Sequence, residues 1–172
     1  ALLRFAAAGG GEQYRTAGLR ALRRATVEVT AGRAWCEGAA GVALAVADSP
    51  DALVDPDLSG WLAERAGELA DCAPLADDSL CHGELGLLEL LGHPAMTGDR
   101  TPWVRRAGTL LAAADREGPR CGTPGHVPQP GLLTGLSGIG HGLLRAGFPD
   151  RIGSALLLNP SAPLLNPSSG VT

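Results

Sequence analysis

A glycine pair that returns three times at one register restricts this chain more than any other feature. The three openings are Cys36-Glu37-Gly38-Ala39-Ala40-Gly41, Cys81-His82-Gly83-Glu84-Leu85-Gly86 and Leu133-Thr134-Gly135-Leu136-Ser137-Gly138. Aligned on the glycines, they define an internal repeat of about 50 residues, within the range of helical-hairpin arrays. Inside a helix each glycine costs about 1 kcal/mol relative to alanine. A pair kept at one register therefore points to a close approach, of backbone or of ligand, where each repeat's short helix begins.

The segments between the openings are amphipathic. From Gly11 to Val29, Tyr14, Ala17, Gly18, Ala21, Leu22, Ala25 and Val29 share one helical face. A second helix is expected from Asp55-Pro56, with Asp55 as N-cap and proline in the first helical position. Its apolar face is Leu58, Trp61, Leu62, Ala66 and Leu69. A third, starting the same way at Thr101-Pro102, is expected to bury Trp103, Ala107, Leu110, Leu111 and Ala114. No stretch alternates with period two for long enough to be a strand. The expectation is an all-α fold of three hairpins, each with an amphipathic outer helix and a small-residue inner helix. Gly118 to Pro130, rich in proline and glycine, reads as a long loop. Residues 159–172 repeat Leu-Leu-Asn-Pro-Ser from the preceding residues and read as a poorly ordered tail. The chain opens at Ala1 in what reads as the end of a helix, so an N-terminal portion is expected before it.

Composition removes several function classes. A hydrophobic fraction of 45% against 19% charged residues is that of a globular chain. An aromatic content of 3% with 25 glycines suits closely packed helices better than sheets. A net charge of −4 argues against a nucleic-acid binder, which needs a basic face. Arg20, Arg23 and Arg24 read as the solvated side of the first helix. No apolar run approaches the ~20 residues that cross a bilayer, and the N-terminus is a poor signal peptide. The cytoplasm is the expected location. There Cys36, Cys72, Cys81 and Cys121 stay reduced, which favours metal binding or catalysis over disulfides.

The repeat alignment also gathers the candidate ligands. Cys36 and Cys81 stand two residues before the first glycine of consecutive repeats, and His82 follows Cys81. The third repeat has Leu133 and Thr134 there, neither a soft ligand. Neighbouring inner helices would present two thiolates and one imidazole at a shared end. Cys₂His is a catalytic zinc set that leaves a fourth position for water or substrate, and sulfur ligands disfavour Mg²⁺ and Ca²⁺. The pattern alone fits equally a pair of buried cysteines beside a helix-start histidine.

Longer motifs add to this. Trp35-Cys36-Glu37-Gly38-Ala39-Ala40-Gly41 resembles the WCxGxxG motif of LanC-like lanthionine cyclases, and Cys81-His82-Gly83-Glu84-Leu85-Gly86 resembles their CHGxxG motif. Residues 131–145, GLLTGLSGIGHGLLR, are similar to the closing segment of class II lanthipeptide synthetases. The resemblance covers most of residues 30 to 158. It implies an α/α toroid, a barrel of seven helical hairpins, and Zn²⁺ held by Cys36, Cys81 and His82. Residues 1–158 would be the C-terminal part of that cyclase domain. The implied reaction adds a cysteine thiol of a precursor peptide to dehydroalanine or dehydrobutyrine, closing a lanthionine or methyllanthionine ring. A free thiol, with a pKa near 8.5, is mostly protonated at neutral pH, and coordination to zinc deprotonates it.

Some positions depart from the family pattern. The family's general acid is a histidine on an earlier hairpin, and none of His82, His93, His126 and His141 matches it. His141 stands where tyrosine is usual and is expected to be structural; His93 and His126 are expected to be exposed. Glu37 either orients His82 through its second ring nitrogen or is a solvated charge. Arg33 only approximately meets the family arginine before the Trp-Cys pair and is a weak catalytic candidate. Cys72 and Cys121 read as bystanders. Three hairpins do not close a seven-hairpin ring, so the expected partners are a precursor peptide and the N-terminal cyclase and dehydratase portions of a longer synthetase. The alternative is a truncated, non-catalytic LanC-like module that binds zinc or a thiol.

Overall fold

A computed structural model describes residues 1–29, 32–96 and 98–159. Among the described residues, eight α-helices follow one another: α1 (Leu2–Phe5), α2 (Glu12–Glu28), α3 (Ala39–Ala47), α4 (Pro50–Leu53), α5 (Pro56–Asp71), α6 (Glu84–Leu91), α7 (Thr101–Glu117) and α8 (Leu136–Gly147). Among the described residues there is no strand. The all-α expectation holds, and the arrangement is consistent with an α/α toroid. Helices α3, α6 and α8 pack in succession as an inner row, and α2, α5 and α7 as an outer row.

Of the inner helices, α3 and α6 are buried nearly all round because neighbours cover them on several sides, whereas α8 buries only Gly138, Ile139 and Gly142. In α3, Ala39, Ala40, Ala43, Leu44, Val46 and Ala47 are buried, and in α6 every residue from Glu84 to Leu90 is. The outer helices bury one stripe. On α5 that stripe includes Leu58, Leu62, Ala66 and Leu69, as expected. Its start is also as expected: the Asp55 carboxylate accepts from the backbone N–H of Asp57 and Leu58, each at 3.1 Å, ahead of Pro56.

Three sequence expectations need correction. Helix α7 starts one residue early, with Thr101 already inside it, and Asp99 accepts the Thr101 N–H at 2.8 Å. On the same helix Leu111 is 54% exposed, while Arg106 is buried. Apolar periodicity cannot see that α7 has helices against one side only, so the edge of its stripe stays wet. On α2, Tyr14 and Ala21 are exposed while Gly18 and Leu19 are buried, a shift of the core face toward α1, where a Cβ on Gly18 would crowd Leu3. The tail predicted at 159–172 lies outside the described residues apart from Asn159, whose N–H donates to the Ser154 carbonyl at 3.0 Å.

The glycine pairs have a backbone explanation. Gly38, Gly83 and Gly135 are the N-caps of α3, α6 and α8, all in extended conformation. The residue after each donates its N–H to a carbonyl seven positions back: Ala39 to Gly32, Glu84 to Asp77, Leu136 to Gln129, at 2.8, 2.9 and 2.8 Å. This folds the preceding loop over the helix start. A Cβ on Gly41, Gly86 or Gly138 would overlap the carbonyl oxygen of Trp35, Leu80 or Leu132, respectively. Each inner helix is thus wrapped by its own loop, and the glycines make room for it.

Candidate metal centre

These wrapped loops are stitched to one another at the candidate ligands. The Cys36 N–H donates to the Cys81 carbonyl at 3.1 Å, and the Cys81 N–H donates to the Leu133 carbonyl at 2.9 Å. Equivalent positions of successive repeats are therefore backbone neighbours, and their side chains emerge side by side. One ligand atom from each of Cys36, Cys81 and His82 lies within 4.8 Å of the other two. Cys36 is exposed; Cys81 and His82 are half-buried. All four cysteines are free.

The imidazole is held through Nε2. His82 Nε2 lies 3.0 Å from the Gly122 carbonyl oxygen and 3.6 Å from the Asp77 carboxylate. A carbonyl only accepts, so the contact with Gly122 is a hydrogen bond when Nε2 carries a proton. Burial, the neighbouring Cys36 thiol, and the charges of Asp77 and Glu37 push the Cys81 thiol up to about 12. Two thiols and two carboxylates thus crowd the site.

The residues present fit a zinc ion. Tetrahedral zinc with sulfur at ~2.3 Å and nitrogen at ~2.0–2.1 Å sets its ligand atoms about 3.6–3.8 Å apart. The mutual 4.8 Å limit is within a small side-chain adjustment of that. Two sulfurs and a neutral imidazole are also soft donors suited to zinc.

A family model described as lanthionine synthetase C-like protein matches residues 13–157. The chain belongs to that family. No curated protein and no solved structure matches it. Membership places this lanthionine synthetase C-like chain with lanthionine cyclase-type enzymes at the level of the family.

The other residues singled out in the sequence fall elsewhere. Arg33 donates to the Ala73 carbonyl at 2.8 Å, tying its loop to the end of α5. His141 Nε2 lies 3.1 Å from the Gly153 carbonyl oxygen, a tether between α8 and the segment after it. His126 is exposed, with Nδ1 3.0 Å from the Cys121 carbonyl oxygen. His93, expected at the surface, has a side chain only 11% exposed, with Asp48 3.9 Å from its Nε2. Desolvation lowers its pKa. The place at His82 considered for Glu37 is taken by Gly122 and Asp77. Cys72 caps α5 and accepts from Arg106 through its carbonyl at 2.7 Å, and Cys121 is fully buried.

Sequence reasoning missed Asp77, Gly122 and the Glu84–Arg106 pair. Glu84 and Arg106, each 5% exposed, meet at 2.6 Å directly behind the His82 turn. The Glu84 carboxylate also accepts the Leu75 N–H at 3.0 Å, so the pair ties α7 and the end of α5 to the start of α6. One signal was available. Asp77 and Gln129 stand six residues before the first glycine of their repeats, a position the alignment reaches when extended leftward.

Proposed function

We propose that residues 1–158 are the C-terminal part of a zinc-dependent lanthionine cyclase domain of the class II synthetase type. Cys36, Cys81 and His82 would hold Zn²⁺ and leave one position for a cysteine of a precursor peptide. Bound there, the metal would supply a thiolate at neutral pH from a thiol that is otherwise protonated. The convergence of two thiols and an oriented imidazole within 4.8 Å carries this reading.

The protein's own residues account for the rest of the arrangement. Gly122 and Asp77 fix His82, while the backbone ladder fixes Cys36 against Cys81. Beside Cys36, an open groove of about 570 Å³ runs between α2 and α3, walled by Leu22, Ala25, Val29, Trp35 and Val42. An apolar peptide segment can lie there with its thiol at the site. The sulfur bonds to the β-carbon of the dehydroamino acid, the alkene electrons move to the α-carbon side as an enolate, and a general acid protonates the α-carbon. His93, His126 and His141 are not part of the Cys36–Cys81–His82 group, so this reading assigns the acid to the cyclase portion of a longer synthetase. The cytoplasm, where the thiols stay reduced, is the proposed location. No described helix is long and apolar enough to cross a membrane.

The grouping of only Cys36, Cys81 and His82, with none of those three histidines, also favours a second reading, a non-catalytic module that keeps the zinc or thiol site without turnover. Metal analysis of the purified chain should find about one zinc per molecule under either reading. Cys81→Ala should remove it, and retention of the metal would refute the ligand assignment. Incubation with a dehydrated precursor peptide, with the chain joined to the cyclase portion that carries the acid, separates the two: loss of free peptide thiols marks a cyclase, and unchanged thiols with zinc bound leave the binding role.

A further inference from the structure

We infer that Asp77 is a positioning residue for His82: its buried carboxylate, together with the Gly122 carbonyl, holds the imidazole as the Nε2–H tautomer and leaves Nδ1 as the coordinating atom. The inference rests on the proposed metal site and deepens it.

Asp77 is buried, with a side chain 6% exposed. Its Oδ1 accepts the Ser79 N–H at 2.8 Å, which forms the turn before Cys81. That task uses one oxygen. The other, Oδ2, faces His82 Nε2 at 3.6 Å. A carboxylate or carbonyl behind a metal-binding histidine fixes its tautomer and ring plane and raises its basicity. Here both are present.

The Gly122 carbonyl is itself clamped in place. Arg120 donates from its backbone N–H to Asp78 Oδ2 at 2.7 Å and from its guanidinium to Oδ1 at 2.8 Å. The Asp78 N–H returns a bond to the Arg120 carbonyl at 2.9 Å, and the Gly122 N–H donates to Thr134 at 2.8 Å. Adjacent aspartates thus divide the work: Asp78 anchors the long loop, and Asp77 faces the imidazole that the loop covers. Any side chain at 122 would push on the imidazole, because a Cβ there would lie 2.6 Å from His82 Nε2 and 2.7 Å from Ser79 Oγ.

The third repeat holds the same device without the ligand. Gln129, at the register of Asp77, accepts the Gly131 N–H at 2.7 Å and donates from its side-chain amide to Thr134 Oγ1 at 2.8 Å. Thr134 stands at the register of His82. In both repeats the residue six before the glycine makes the turn and holds the side chain one before the glycine. Only in the second is that pair a carboxylate and an imidazole.

The test compares the full chain with its Asp77→Asn and Gly122→Ala variants by chelator competition for Zn²⁺. Asparagine can still accept from Ser79 but turns an amide toward the Nε2–H. Zinc affinity should fall about 10–100-fold in Asp77→Asn, with the metal-free melting temperature unchanged. Gly122→Ala, which displaces the ring directly, should lose at least as much. Affinities within twofold of wild type in both variants would overturn the inference. Long-range ¹H–¹⁵N spectra should show the Nε2–H tautomer of His82 in wild type and its loss in Asp77→Asn. If wild type binds no zinc, the metal reading fails by itself, and the tautomer decides the positioning role: a change in Asp77→Asn keeps it, the same tautomer in both chains discards it.

Discussion

The openings of the second and third repeats share one backbone and differ in almost every chemically active side chain. Both place glycine at the N-cap, fold a loop back through an N–H bond to residue 77 or 129, and seat a carbonyl on the second glycine. Cys81, His82, Asp77 and Glu84 of the second are replaced by Leu133, Thr134, Gln129 and Leu136 in the third. The wrapped helix start is therefore a scaffold that forms without a metal site. The site is what one copy of that scaffold carries, completed by Cys36 from the copy before it.

The widest test of a shared scaffold is to fill its glycines. In Gly86→Ala and Gly138→Ala the new methyl meets a backbone carbonyl that has no rotamer to yield. Each should lower stability by about 3 kcal/mol, overpacking outweighing the gain in helix propensity. Gly140→Ala, in the same helix as Gly138 but with nothing within 4 Å of its Cβ, should stabilise by about 0.5–1 kcal/mol. Chemical denaturation reads all three. Similar losses at 86 and 138, with zinc affinity reduced only by the first, would sustain the division between scaffold and site. A tolerated alanine at 138 would break it.

A comparable loss is expected at Arg106, but only on the side of the second repeat. Arg106→Met strands the buried Glu84 carboxylate and should cost about 3–5 kcal/mol. Adding Glu84→Gln removes the uncompensated charge yet still accepts from Leu75, so about 1–2 kcal/mol should return. At the equivalent position of the third repeat, Leu136 is 42% exposed. Leu136→Gln should stay within about 0.5 kcal/mol of wild type. A full loss in Arg106→Met that Glu84→Gln leaves untouched would mean that the arginine acts through Ala70 and Cys72 alone.

How much of this was legible in the sequence depends on the range of the interaction. The three inner helices, the Asp55-Pro56 start and the meeting of Cys36, Cys81 and His82 follow from local spacing read across a repeat, and a repeat carries long-range geometry in its register. The partners of His82 do not. Gly122 reaches it from the middle of an irregular loop, and nothing in the periodicity of residues 118–130 says where that loop lies. Arg106 escaped for a related reason: a single arginine on an amphipathic helix reads as solvated until its carboxylate is placed behind it. His93 was assigned to the surface from its loop context, although Asp48, at the end of α3, packs beside it. Local pattern shows where elements start; burial of a charge is settled by what arrives from far along the chain.

The smallest expected effect concerns the outer helices that lead into the two repeats. At the start of α5, two backbone N–H groups and Arg23 hold the Asp55 carboxyl below the ordinary carboxylate range. At the start of α7, the Thr101 side chain and then its backbone N–H do the same for Asp99. A folded-state pKa below the unfolded value gives stability that is present above about pH 4. That stability is lost as the pH falls through the depressed value. Asparagine keeps an accepting oxygen but no charge. Asp55→Asn should therefore melt below wild type at pH 7, with the gap narrowing as acid titrates the wild-type carboxyl. Asp99→Asn should show a smaller gap of the same sign, since one residue rather than three sustains the carboxylate there. Melting temperatures across pH 3 to 7 would reverse the ranking if charge were immaterial at the α5 cap: the Asp55 gap would then stay flat, and the oxygen's position alone would account for the helix start.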